Sequence, residues 1–106
     1  MKLGTLLLLV SLLVGSVGCS STPSSRTTTI AALKGDAVVG KTIYTTNCTT
    51  CHGADAKSGT AGKRIAADDS NDAYGQIVSG GGGMPAFGSL SDQDIANLWA
   101  YVQTLK

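Results

Sequence analysis

The stretch Cys48-Thr49-Thr50-Cys51-His52 decides how this chain must fold. Cysteines at i and i+3 on one helical turn present both sulfurs to the same side, and a histidine follows at once. Three chemistries use cysteines at this spacing. A zinc half-site needs two further ligands, but the sequence holds a single histidine, and its third cysteine, Cys19, lies far off near the N-terminus. A thioredoxin-like redox pair expects a βαβ context, and no run here alternates convincingly enough to predict a strand. Covalent attachment of a c-type haem needs only what is present. The two sulfurs bond two vinyl groups of one porphyrin, and His52 reaches the iron as proximal ligand.

Downstream stands Gly80-Gly81-Gly82-Gly83-Met84-Pro85-Ala86-Phe87. Met84 is the only methionine besides Met1. A lone methionine commonly fills a gap in a core, but this one sits between a glycine run and a proline, off any apolar helix face. Glycine permits backbone angles closed to other residues, and Pro85 fixes the chain just beyond the sulfur. Taken alone the glycines would suit a floppy linker. Together with the attachment motif they make Met84 the expected distal ligand, since His/Met ligation is one of few haem options here.

Three helices are predicted around these motifs. The last, Ser91 to Leu105, repeats Ile95, Leu98, Trp99, Val102 and Leu105 on one face. Ser91 suits its N-cap, Asp94 completes an approximate capping box, and Leu90 and Ile95 take the staple positions. The first runs from about Asp36 into Cys51, with Gly40 and Tyr44 on one face. A glycine inside a helix costs about 1 kcal/mol against alanine, so another backbone is expected to pack against Gly40. The middle helix spans roughly Ser70 to Ser79, with Ala73, Tyr74, Ile77 and Val78 on its apolar side. Ile65, Ile77, Phe87 and Trp99, with Val102, are candidates to line the haem, although each also suits helix–helix core.

The N-terminal third reads differently. Met1-Lys2 is a short positive head, Leu6 to Leu13 is apolar, and small residues lead to Cys19. These are the regions of a secretory signal over residues 1–18. The apolar run falls short of the roughly 20 residues that span a bilayer. Gly18-Cys19 resembles the cleavage site of bacterial lipoproteins, which implies a lipid on Cys19 and a mature protein beginning there. Residues 19–34 are rich in serine and threonine and are expected to form a flexible tether, with a reach of about 20 Å. That leaves residues 35–106 as the folded domain. About 70 residues seldom hold together without a staple, and the 11 glycines and five aromatics among them call for a large apolar cofactor. Charge excludes one class of partner: from Asp36 onward five basic residues face seven aspartates, with no basic stripe for nucleic acid.

From Gly40 to Leu105 the chain resembles a small class I c-type cytochrome: G-x-x-x-Y leading into C-x-x-C-H-G, then G-M-P-x-F, then L-S-D-x-x-I-x-x-L-x-x-Y-V. The resemblance implies an all-α fold, three main helices wrapped around one covalently bound haem c, with the N- and C-terminal helices crossing. Gly40, Tyr44, Leu98 and Tyr101 would stand at that crossing. It also implies a one-electron carrier, not an enzyme, that meets redox partner proteins transiently at an exposed haem edge. A monomer is expected, lipid-anchored to a bacterial membrane and facing the periplasm or the cell exterior. Two other functions fit the same motifs: a haem ligand-binding or peroxidatic protein with a labile Met84, and a haem subunit of a larger oxidoreductase. One feature departs from the family. Its members carry a proline about ten residues after the histidine, whose carbonyl holds the ring N–H. None lies between Cys51 and Met84 here, and a carbonyl of the Gly59–Lys63 loop is expected in its place.

Overall fold

Gly40 lets two helices meet backbone to backbone. A Cβ at this position would collide with the Asn97 carbonyl and lie 3.0 Å from the Tyr101 Cβ. The computed structural model describes residues 24–60, 65 and 70–106. Within them the elements run α1 (Ser25–Ala31), α2 (Ala37–Asn47), α3 (Thr49–His52), α4 (Ser70–Ser79) and α5 (Asp92–Gln103). The described residues form no strand, only an isolated bridge between Gly81 and Met84. The all-α expectation holds.

The principal contact is α2 against α5. Gly35 extends the close approach, because a Cβ there would strike the Ala96 carbonyl and lie 2.8 Å from the Ala100 Cβ. Tyr44 and Tyr101 meet at the same crossing, ring centroids 5.4 Å apart and tilted by 58°. Buried Asn97 ties the helices in polar terms. Its Oδ1 accepts from the Asp36 backbone N–H at 2.8 Å and from Gln93 Nε2 at 2.9 Å. Satisfied in this way, a buried amide specifies register without the cost of an unpaired polar group.

The helix ends follow the sequence closely. Asp36 caps α2, its carboxylate accepting from the N–H groups of Val38 and Val39. Ser91 caps α5, its Oγ accepting from the Asp94 N–H at 3.0 Å. The expected first helix divides at Cys48, whose φ of −118° breaks the run. The Cys48 N–H still donates to the Tyr44 carbonyl, and its own carbonyl accepts from His52. Both backbone groups of Cys48 thus stay paired across the break.

The N-terminal expectation needs correcting. Part of the predicted flexible tether, Ser25–Ala31, is helix α1, seated against α4 and α5. Ile30 is fully buried in the main core and Thr27 is buried beside it. Ser24 caps the helix, its Oγ accepting from the Thr27 N–H at 3.2 Å. Polar composition hides this because the segment docks through one apolar residue and one arginine. Arg26 donates from Nη1 to the Gly88 carbonyl at 2.7 Å and from Nη2 to the Leu90 carbonyl at 2.6 Å. Its Nε meets Asp92 Oδ1 at 2.8 Å. The predicted signal, Cys19 and the tether up to Pro23 lie outside the described residues.

Candidate haem site

A cavity of about 780 Å³ opens between the helices, within the roughly 300–1,000 Å³ usual for small-molecule and cofactor sites. Helix α3 and its N-cap contribute Cys48, Cys51 and His52, and the segment after α4 contributes Gly81 to Pro85. Ile65, Ile77, Phe87, Trp99 and Val102 also line it. The structure thus brings every sequence-predicted residue from Cys48 onward to one place. Tyr44, Leu98, Asp72 and Gln76 line it too. Of these, Tyr44 and Leu98 were expected, from the family resemblance, only at the helix crossing. Asp72 and Gln76, i,i+4 on α4, were missed because polar residues on a helix read as solvated surface.

The attachment segment is held from behind. Gly59 folds back against α3, its N–H donating to the His52 carbonyl at 3.1 Å. A Cβ at Gly59 would lie against the backbone of Cys51 and His52. Gly53, at φ +80°, ends α3. Its carbonyl accepts from the Tyr44 hydroxyl at 2.6 Å and from the Ala56 N–H at 3.2 Å. Burial, then the nearby charges of Cys48, Tyr101 and Asp55, push the Tyr44 hydroxyl up to about 12, so it remains a donor throughout the physiological range. Residues 61–63 of the loop expected to serve the His52 ring lie outside the described residues.

The methionine segment is built from backbone. Gly81 and Met84 exchange two hydrogen bonds, Gly81 N–H to Met84 carbonyl at 2.9 Å and Met84 N–H to Gly81 carbonyl at 3.1 Å. Gly82 and Gly83 between them stand at φ +60° and +90°, both on the left-handed side that a tight primed turn requires. Gln76 Nε2 donates to the Gly81 carbonyl at 2.9 Å, and the Phe87 N–H donates to the Ile77 carbonyl at 2.7 Å. The glycine run is a defined turn.

The residues fit a haem. Cys48 and Cys51 are both free thiols, and the cavity they line also receives an imidazole, a thioether and a largely apolar wall. Burial, then the adjacent Cys51, raises the Cys48 thiol to about 11. Before any haem is attached Cys48 is therefore a neutral thiol at physiological pH, suited to an apolar wall. Trp99 packs edge-on against Tyr74, ring centroids 6.3 Å apart, which fixes the indole at the cavity. The helical frame and this site define a small monohaem class I c-type cytochrome, an electron-transport protein with covalent haem c.

Comparison with known proteins agrees. Residues 35–102 match the family described as cytochrome C oxidase, cbb3-type, subunit III, and the chain belongs to that family. It is 37% identical over 87 residues to a cytochrome c6 of Picosynechococcus, covering 67% of this chain and 74% of that one. It is also 37% identical over 90 residues to cytochrome c-554(547) of Halothiobacillus neapolitanus, covering 68% of this chain and 99% of that one. A cytochrome c6 of Rippkaea orientalis is 36% identical over 80 residues, covering 67% and 72%. No solved structure gives a significant match.

Proposed function

We propose that the chain is a one-electron carrier whose haem is bonded through Cys48 and Cys51 and ligated by His52 and Met84. The observation that supports this is the convergence of all four side chains on one cavity. Bound haem supplies a one-electron couple at its iron. His52, on the buried face of α3, offers the proximal nitrogen. Met84 offers a thioether, which raises the reduction potential relative to a second nitrogen ligand. Ile65, Ile77, Phe87 and Trp99 form apolar wall that limits water at the haem. With both axial positions taken no site is left for substrate, which favours a carrier over an enzyme. Partners would dock weakly at the haem edge, as redox encounters do.

An optical redox titration of the mature protein tests this reading. One haem, a long-wavelength Met–iron charge-transfer band in the ferric state, and ferrous protein indifferent to carbon monoxide are expected. Met84→Ala should lose the band and bind carbon monoxide. Rapid binding by the wild type would instead favour the ligand-binding or peroxidatic alternative. The family description favours one further reading, a haem subunit of a larger oxidase. Co-purification with a larger complex in mild detergent would support that role over a free carrier.

The proposal includes export, with residues 1–18 removed and Cys19 lipidated, which would place the monomeric haem domain at a bacterial membrane facing the periplasm or cell exterior. Support comes from the signal-like sequence of residues 1–18 and from Gly18-Cys19. Mass analysis of the mature N-terminus, with Cys19→Ser losing the added mass, tests it.

A further inference from the structure

Helix α1 precedes the region matched by the family, which begins at residue 35. It nevertheless reaches the segment that links the proposed ligand Met84 to α5. From Met84 the chain passes Pro85 and Ala86 to Phe87, whose N–H is fixed on the Ile77 carbonyl. The next residues, Gly88 to Asp92, carry the three acceptors of Arg26. Gly88 is also closely walled, since a Cβ there would lie 3.1 Å from the Val78 carbonyl and 3.6 Å from Arg26 Nη1. The helix that carries Arg26 is itself seated, with Thr27 and Ile30, one and four residues further on, both buried. A planar fork with three occupied directions holds its acceptors at a set geometry, which a single ammonium cannot reproduce.

We propose that Arg26 is a positioning residue for Met84, fixing the C-terminal root of the methionine loop and so setting how readily the thioether leaves the iron. The proposal rests on Met84 being the distal ligand. Departure of the thioether requires the loop to move away from the iron. At the upstream end of that loop the two hydrogen bonds between Gly81 and Met84 lie within the loop and move with it, while Gln76 Nε2 ties the Gly81 carbonyl to α4. At the downstream end Phe87 and the Arg26 fork hold the backbone, and the fork adds a restraint from outside the loop. Loosening the fork lowers the cost of moving the loop, whereas the attachment segment on α3 is untouched.

The test uses the full-length, haem-loaded protein with imidazole as probe, because imidazole can bind ferric iron only after the thioether departs. Arg26→Gln should raise the imidazole-binding rate about tenfold or more, the effect of losing about one charge-assisted hydrogen bond. Arg26→Lys, which can keep only the pairing with Asp92, should fall between Gln and wild type. Asn97→Ala, at the far crossing of α2 and α5, controls for general destabilisation and should leave the rate within about twofold. A rate in Arg26→Gln no higher than in Asn97→Ala overturns the proposal while a wild-type charge-transfer band still upholds Met84 ligation. Absence of that band in the wild type overturns both.

Discussion

The two sides of the haem site are built on opposite principles. Cys48 caps the short helix that carries Cys51 and His52, backed by Gly59 and pinned through Tyr44 and Gly53. Met84 stands on a glycine turn whose order comes from main-chain hydrogen bonds and from two clasps downstream. The first side derives its geometry from covalent spacing along a helix, the second from the fold around it. One side is therefore predictable from local sequence and resistant to loosening. The other depends on distant residues and is open to adjustment.

Four changes would break or sharpen this contrast. The largest effect is expected on the covalent side. Cys48→Ala with Cys51→Ala should abolish haem that survives denaturing electrophoresis, read by in-gel haem staining, whereas Met84→Ala should keep it. Next is Gly40→Ala, which drives a methyl into the Asn97 carbonyl. Overpacking of about 3 kcal/mol, less about 1 kcal/mol of gained helix propensity, leaves a net loss of about 2 kcal/mol. Thermal melts of the holoprotein should show it as a fall of about 10 °C.

Of the two sides, the attachment segment was the more legible in the sequence. Its spacing is a local property, and the caps at Asp36 and Ser91 and the periodic face of α5 are local as well. Gly40 announced a close approach because an unforced glycine inside a helix is unfavourable. The glycine run announced unusual backbone, but not that Gly82 and Gly83 close a turn between Gly81 and Met84. Helix α1 was illegible for a different reason. Its burial rests on Ile30 alone among large apolar residues, and the acceptors of Arg26 lie more than sixty positions away. Average composition registers neither.

The third change sharpens the methionine side. Gly82→Ala places a side chain at φ +60° with no protein atom within 4 Å of its Cβ, so its cost to the polypeptide is conformational, about 1 kcal/mol. Chemical denaturation should register that loss, and ferric imidazole binding should accelerate. Gly75→Ala is its mirror. Gly75 lies inside α4 with nothing near its missing Cβ, so alanine should stabilise by about 0.5–1 kcal/mol and leave imidazole binding unchanged.

Alkaline pH offers a variant-free probe of the attachment side. Burial first, then nearby charge, raises Tyr44 from 10.0 to about 12. The folded state therefore favours the protonated phenol, and the resulting stability is present below pH 10. It is lost as pH rises toward and through about 12. In denaturant titrations the midpoint should drop across that window. Tyr44→Phe should flatten the drop, at the cost of leaving the Gly53 carbonyl without this donor.

With Cys19 lipidated as proposed, the docking of α1 would also limit how far the protein strays. Only Cys19 to Pro23 separate the proposed lipid from Ser24, a leash of five residues that spans no more than about 18 Å when fully stretched. A body held that short cannot turn every side of itself to a distant collaborator. Encounters would be selected by height above the bilayer and by facing direction before any surface chemistry is tested. Partners fixed in the same membrane would meet it at a raised local concentration, and those dissolved in the surrounding fluid would approach only its outward hemisphere.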